Sequence, residues 1–363
     1  MKISAEDLDA LAGEILPLYG IAPTRATVIQ AGDVKTVWKI ERDHGRPLCL
    51  KRLRHTMEKA VFAAGAQKYV FAHGGPVPRI LATQRGDDLA ARDGQLFALY
   101  EWVDGEPISL DTGRELRAAL HGLAHFHRSS RGYVPPEGDR VSTKLGRWPH
   151  HYDSMRRRLI DWKGKARSTL DAQDGAEGAD ATEATVPFLS REYLDAYLRE
   201  VDGFVTLAAE AEERLASSRY AELTVHTSQQ GLCHQDFGPG NALQTSNGVI
   251  ILDLDGVTFD LPARDLRKII MKRASTRGKW DEPDIREVLS FYGEANPLSA
   301  AEQEILFIDL LYPHEFHDTV KNPFHKEKPS TAGELRRTAS LARAKVDLLR
   351  TLIAQARQGR ILE

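Results

Sequence analysis

Three oxygen-bearing side chains fall in an order and spacing that suits phosphoryl transfer. The stretch His234-Gln235-Asp236-Phe237-Gly238-Pro239-Gly240-Asn241 sets Asp236 and Asn241 five positions apart (241 − 236). The apolar run Val249-Ile250-Ile251-Leu252 then delivers Asp253, seventeen positions after Asp236 (253 − 236), followed by Leu254-Asp255-Gly256. One carboxylate, Asp236, can accept or orient the proton of an attacking hydroxyl. An amide oxygen and a second carboxylate, Asn241 and Asp253, can hold Mg²⁺ against nucleotide phosphates, because hard cations take oxygen ligands. A loop of Asp, Gly, Pro and Asn is also an ordinary turn, and His-x-Asp alone carries little information. The ordered set, with a strand lysine upstream, carries far more.

Such a set needs a scaffold that presents it to a nucleotide. Val28-Ile29 and Val37-Trp38-Lys39-Ile40 read as strands flanking Ala31-Gly32-Asp33-Val34-Lys35-Thr36. That turn could cover phosphates through Gly32, yet with a single glycine it reads equally as an ordinary hairpin. Arg46 to Leu53 reads as a third strand, and its Lys51 is the candidate phosphate lysine, with a surface lysine as the alternative. A helix is expected from Met57 to His73. Kinase scaffolds supply from this helix a glutamate that pairs with the strand lysine; here the helix offers only Glu58, with Gln67 further along. Leu96 to Val103 reads as the last strand before a hinge at Asp104-Gly105, where the main chain of Glu101, Trp102 and Val103 could hydrogen-bond an adenine.

Helical patterning dominates from Leu110 onward, and His127 reads as a core histidine. Lys144 to Tyr152 forms a polar and aromatic patch, either an acceptor pocket or a packed corner. Pro313-His314-Glu315-Phe316-His317-Asp318 is a second such junction. Between Lys165 and Pro187 acidic residues lie among Ala, Gly and Thr, which predicts a mobile acidic surface loop. Asp265 is expected to brace the catalytic loop through backbone hydrogen bonds or to cap the helix that comes after it, and the two are not exclusive. From Lys321 to the end there are ten Lys or Arg against four Asp or Glu. That tail is expected either to bind an acidic partner or to dock on the large lobe.

Bulk properties narrow the classes. With 363 residues the chain can form two lobes, and 49 basic against 52 acidic residues leave a formal net charge of −3. Nothing in that balance marks a nucleic-acid binder. The two cysteines, Cys49 and Cys233, sit in separate apolar runs and read as reduced thiols. No run approaches the ~18 apolar residues of a membrane span, and the first residues are acidic rather than signal-like. A cytoplasmic protein made without export is expected.

Several motifs together resemble the CotS family of bacterial spore-coat proteins. They are Lys144-Leu-Gly-Arg-Trp-Pro, Cys233-His-Gln-Asp-Phe-Gly-Pro-Gly-Asn, Asp253-Leu-Asp, Asp260-Leu-Pro-Ala-Arg-Asp-Leu-Arg-Lys, Phe307-Ile-Asp and Pro313-His-Glu-Phe. That family lies within the aminoglycoside phosphotransferase and choline kinase branch of the kinase-like fold, and the resemblance runs from about Leu48 to His325. It implies an α+β, bilobal protein-kinase-like fold, with a small antiparallel-sheet N-lobe over 1–104 and a mainly helical C-lobe over 105–363. Asp236 is then the catalytic base, Asn241 and Asp253 the Mg²⁺ ligands with Asp255 as a helper, Lys51 the phosphate lysine and Tyr100 to Val103 the hinge. ATP is the implied co-substrate, and the partners are a small-molecule hydroxyl acceptor and other spore-coat proteins. The acceptor pocket is expected from Arg147, Trp148, Tyr152, Tyr312, His314 and Glu315. The competing expectation is a non-catalytic coat or scaffold protein that keeps a kinase-like lobe for binding partners.

Overall fold

The computed structural model describes residues 5–22, 25–31, 35–111, 113–175, 189–225 and 230–362. Its contacts divide the chain into two compact units. One comprises Met1–Lys144, His226–Asp265 and Phe291–Pro297, the other Leu145–Val225, Leu266–Ser290 and Leu298–Glu363.

The first unit is built on an antiparallel sheet. Helix α1 (Ala5–Ile15) precedes β1 (Ala26–Ala31), β2 (Thr36–Ile40) and β3 (Leu48–Leu53). Helix α2 (Met57–Ala72) comes next, then β4 (Ile80–Leu81), β5 (Ala90–Arg92) and β6 (Gln95–Glu101). The strand order is β1-β2-β3-β6-β4, with β5 also on β6. Alternation along β3 assigns its two faces. Leu48 and Leu50 join Trp38, Ile40, Phe97 and Leu99 in a core covered by Leu8, Ala12 and Ile15 of α1. Leu53 instead packs with Ala60 and Ala64 of α2. Lys51, two residues before Leu53, therefore stands on the α2 side of the sheet, opposite Ala98 of β6 and Val37 of β2.

After the hinge the chain makes β7 (Glu106–Pro107) and α3 (Gly113–Ser129), then later β8 (Leu232–Cys233), β9 (Ala242–Thr245), β10 (Gly248–Ile251) and β11 (Thr258–Phe259). β7 pairs with β9, β9 with β10, and β11 with β8. The first unit runs to Lys144, so β7 and α3 are counted with this hairpin. Gly122 of α3 allows the close approach. A Cβ there would come within 3.1 Å of the Val249 side chain.

The second unit is helical: α4 (Trp148–Gly175), α5 (Arg191–Ala216), α6 (Tyr220–Leu223), α7 (Ala263–Arg277), α8 (Glu282–Gly293), α9 (Ala300–Leu311), α10 (His314–His325), α11 (Ala332–Ala344) and α12 (Val346–Arg357). Arg156 pairs with Glu212 and Lys163 with Asp202, so α4 and α5 run antiparallel. The stretch expected as an acidic loop over 165–187 is helical as far as Gly175, because α4 continues without a break; 176–187 lie outside the described residues. The basic tail docks within this unit. Arg336, Arg343, Arg350 and Arg357 recur every seventh residue, two helical turns apart, and pair with Glu192, Glu200, Glu210 and Glu304.

Candidate active site

A short strand, β8, carries the chain into the catalytic loop, and a buried carboxylate fixes the start of that loop. The N–H groups of His234 and Gln235 donate to Asp265 Oδ2 and Oδ1 at 2.6 and 2.9 Å. His127 Nε2 donates to the same Oδ2 at 3.1 Å, and its Nδ1 lies 2.7 Å from the Tyr292 hydroxyl. Burial by itself raises the Asp265 carboxyl, but the His127 ring and the backbone N–H of His234 outweigh it and bring it down to about 2. Asp265 thus braces the loop, and His127 is the satisfied core histidine that orients the brace.

His234 ties the loop to the strand before the metal-loop aspartate. Its Nε2 is 2.7 Å from Leu252 O, and its Nδ1 is 3.2 Å from the backbone nitrogen of Asp236. A carbonyl can only accept and a peptide N–H can only donate, so the proton resides on Nε2 and Nδ1 is the acceptor. Gln235 and Asp253 have φ of 71° and 63°, left-handed values that non-glycine residues seldom adopt. Both lie at the turns that aim Asp236 and Asp253, where such strain is commonly kept.

Asn241 Nδ2 donates to Asp236 O at 2.8 Å and lies 3.4 Å from Asp236 Oδ2. Because that carbonyl must meet the NH₂ group, Oδ1 of Asn241 is the atom left to act as a ligand. Lys51 Nζ lies 2.6 Å from Asp253 Oδ1 and 2.6 Å from Asp255 Oδ1. Lys35, just before β2, reaches Asp253 Oδ2 at 2.5 Å. Burial pushes the Asp253 carboxyl up, but the two ammonium groups prevail and hold it well below the usual carboxylate range. The helix glutamate of the kinase pattern has no equivalent at Lys51. Glu58 pairs with Arg140 at 2.9 Å, and Gln67 donates its amide to Pro78 O at 2.8 Å.

These groups share one cleft of about 330 Å³. Its walls include Ile29, Val37 and Cys49 from the sheet, Tyr100, Glu101, Trp102 and Val103 from the hinge, and Lys35, Lys51, Gln67, Asn241 and Asp253. An apolar slot ending in cations and hard oxygen donors suits a nucleotide with a divalent ion. Within the hinge, the N–H groups of Glu101 and Trp102 already donate to Arg79 O and Pro47 O. Gly32 lies outside the described residues. Cys49 and Cys233 are free thiols, and burial pushes Cys49 up to about 11. His127, Cys233 and Asp265 lie close enough together to hold a metal ion. Each is engaged otherwise: Cys233 Sγ with Leu261 O, His127 with Tyr292 and Asp265, and Asp265 with the loop backbone.

The six residues expected to line an acceptor pocket belong to the second unit and build a packed corner instead. Trp148, Tyr152, Tyr312 and His314 are 5, 1, 0 and 6% exposed. The Tyr152 and Tyr312 rings lie 4.1 Å apart, the Tyr152 hydroxyl donates to Asp309 at 2.5 Å, and Tyr312 donates to Tyr152 O at 2.8 Å. His314 Nε2 donates to Asp309 Oδ1 at 2.8 Å, and Glu315 pairs with the buried Lys345 at 2.8 Å. Arg147 alone is exposed. Rings and hydroxyls satisfied by one another leave no open wall. Sequence reading also passed over Lys35, although a lysine closing the turn before a strand was its signal.

A profile of the phosphotransferase enzyme family matches residues 26–304. Spore coat protein S of Bacillus subtilis (strain 168) is 26% identical over 330 residues, covering 91% of this chain and 88% of that protein. The crystal structure of an aminoglycoside phosphotransferase from Alicyclobacillus acidocaldarius superposes with a TM-score of 0.68 at 17% identity, covering 92% of this chain and 93% of the other. A spectinomycin phosphotransferase solved with ADP and spectinomycin gives a TM-score of 0.57 at 13% identity, covering 99% of this chain and 100% of that one. The fold is therefore kinase-like, with an antiparallel sheet toward the N-terminus and a mostly helical remainder. Because the family match spans well over half of its length, the chain belongs to the phosphotransferase enzyme family.

Proposed function

We propose that this protein transfers the γ-phosphate of ATP to a hydroxyl group of a small molecule. The observation that carries this reading is the convergence of Lys51, Asn241 and Asp253 on one cleft, with Asp236 hydrogen-bonded to Asn241. Hinge residues Glu101 to Val103 flank the adenine end, where the Val103 N–H and the hinge carbonyls are the groups for a purine to use. Lys51 carries phosphate charge, held in place by Asp255. Asn241 Oδ1 and the Asp253 carboxylate would hold Mg²⁺, which when bound neutralises charge on the phosphates. Asp236 orients the acceptor hydroxyl and takes its proton as the oxygen–phosphorus bond forms and the bond to the departing ADP oxygen breaks. In this reading residues 1–104 form the nucleotide lobe and 105–363 carry the catalytic loop and the acceptor side. Alignment and electrostatic stabilisation supply most of the acceleration.

The test is ADP release from ATP and Mg²⁺ across a panel of hydroxylated amines and sugars. Wild-type protein turns over at least one acceptor, and Asp236→Asn lowers that rate by about 10²- to 10⁴-fold, the range for loss of a positioned proton acceptor. Equal rates for the two proteins would overturn the assignment.

The likeness to spore coat protein S favours a second reading, a non-catalytic coat or scaffold protein that keeps a kinase-like lobe for binding partners. Synthesis in the mother cell and deposition in the coat would accord with it. Calorimetric titration with ATP, with and without Mg²⁺, separates a metal-dependent nucleotide site from a scaffold that binds neither.

A further inference from the structure

One cation of the cleft has no part in the proposed transfer. Lys35 Nζ lies 2.5 Å from Asp253 Oδ2, and Lys51 Nζ lies 2.6 Å from Asp253 Oδ1 and 2.6 Å from Asp255 Oδ1. Two ammonium groups therefore face two carboxylates. Among the described residues Lys35 forms its ion pair with Asp253 alone, whereas Lys51 has Asp255 as well. The Lys35 side chain is also the more accessible, 27% against 8%. From this arrangement we infer that Lys35 is a second phosphate-binding cation, latched to Asp253 and released to the nucleotide phosphates when they enter. The inference rests on the nucleotide reading of the cleft and adds a residue to it.

Three physical points support the transfer of Lys35 from carboxylate to phosphate. A carboxylate that serves a divalent ion cannot also keep two ammonium groups in contact, since like charges would crowd one site. Lys51 stays anchored by Asp255, so Lys35 is the group set free, and the nearest new anions are phosphate oxygens. The sequence just before Lys35 contains one glycine, Gly32. Backbone N–H groups that approach phosphates closely commonly depend on several glycines, and a lysine on a flexible stem supplies the missing positive charge without them. Removing it would leave one positive charge against two negative ones and make the cleft repel phosphates.

Calorimetry on the full chain tests this with the non-hydrolysable ATP analogue AMP-PNP in Mg²⁺, and with adenosine as the phosphate-free probe. Lys35→Met should weaken AMP-PNP binding about 10- to 100-fold, the range of one charge-assisted hydrogen bond, and leave adenosine binding unchanged. Lys35→Arg should restore most of the loss. Lys68→Met, which removes the same charge from an exposed pair with Asp88, should bind both probes as wild type does. Unchanged AMP-PNP affinity in Lys35→Met and in Lys35→Gln overturns the role of Lys35 alone, as does an equal loss for adenosine. Wild-type protein that binds neither probe overturns the nucleotide reading and this inference with it.

Discussion

Asp265 makes the catalytic loop a fixed object. Its two oxygens accept from consecutive backbone N–H groups and from a histidine, and Asp265, His127 and His234 are buried. Replacing it with Asn keeps the volume but turns an NH₂ group toward a backbone donor, which leaves buried polar groups unmatched. Asp265→Asn should cost about 2–3 kcal/mol in urea denaturation, the scale for breaking a buried charge-assisted network; a cost below about 0.5 kcal/mol would refute the brace. Its pH dependence has a definite sign. The carboxyl titrates near 3.8 when unfolded and near 2 when folded, so its contribution is whole above 3.8 and disappears as pH falls through 2. From sequence, brace and helix cap were both open for this residue and not exclusive, because both suit an aspartate at the start of a helix. The same limit applied to Lys51. The kinase pattern calls for a glutamate on α2, and the partners are Asp253 and Asp255, about two hundred positions away.

At the scale of elements, periodicity was informative wherever one face is buried. The alternation in β3 separates Leu48 and Leu50 from Lys51, and the strand pairs on both sides as a central strand must. The tail shows what charge counting misses. Its basic surplus fits an acidic partner or docking on the large lobe equally by count, and four arginines at heptad spacing meet glutamates of α5 and α9. The exposed pairs, such as Arg336–Glu192, contribute little, and the buried Leu349, Leu352 and Ile353 of α12 contribute more. Leu349→Ala should therefore destabilise by about 2–5 kcal/mol and Arg336→Ala by no more than about 1 kcal/mol, both measured by thermal or urea unfolding. A reversed order would mean that the charges hold the tail. The aromatic patches at Trp148–Tyr152 and Tyr312–His314 teach the converse. A pocket wall and a packed corner have the same composition, and only the packing of ring on ring distinguishes them.

For the whole molecule, stability should depend on pH through a group of the second unit. Burial, and then the nearby Arg267, lower the His314 imidazole from 6.5 to about 3 despite its bond to Asp309. The unfolded chain takes up a proton there below 6.5 and the folded one does not, so this contribution is complete above 6.5 and declines as pH falls toward 3. At pH 5 the loss amounts to about 2 kcal/mol from this residue. Wild-type protein should lose more stability between pH 7 and 5 than His314→Gln does, read from urea midpoints at each pH. Parallel profiles would show that the imidazole is not held neutral. Among the described residues no helix is long and apolar enough to cross a membrane, and the family match from 26 to 304 spans residues of both compact units.

By itself the sequence determined the fold class, the loop that bears Asp236 and Asn241, and the strand that bears Lys51. Each is written in local spacing: a loop of fixed length, an alternating strand, an amphipathic helix. Tertiary structure alone decided which distant groups meet. It put Asp253 and Asp255 on Lys51, brought Lys35 to the other oxygen of Asp253, set Asp265 beneath the loop and closed the aromatic corner. Those contacts join residues up to about two hundred positions apart, where no periodicity reaches and only the packing of elements selects one partner among many.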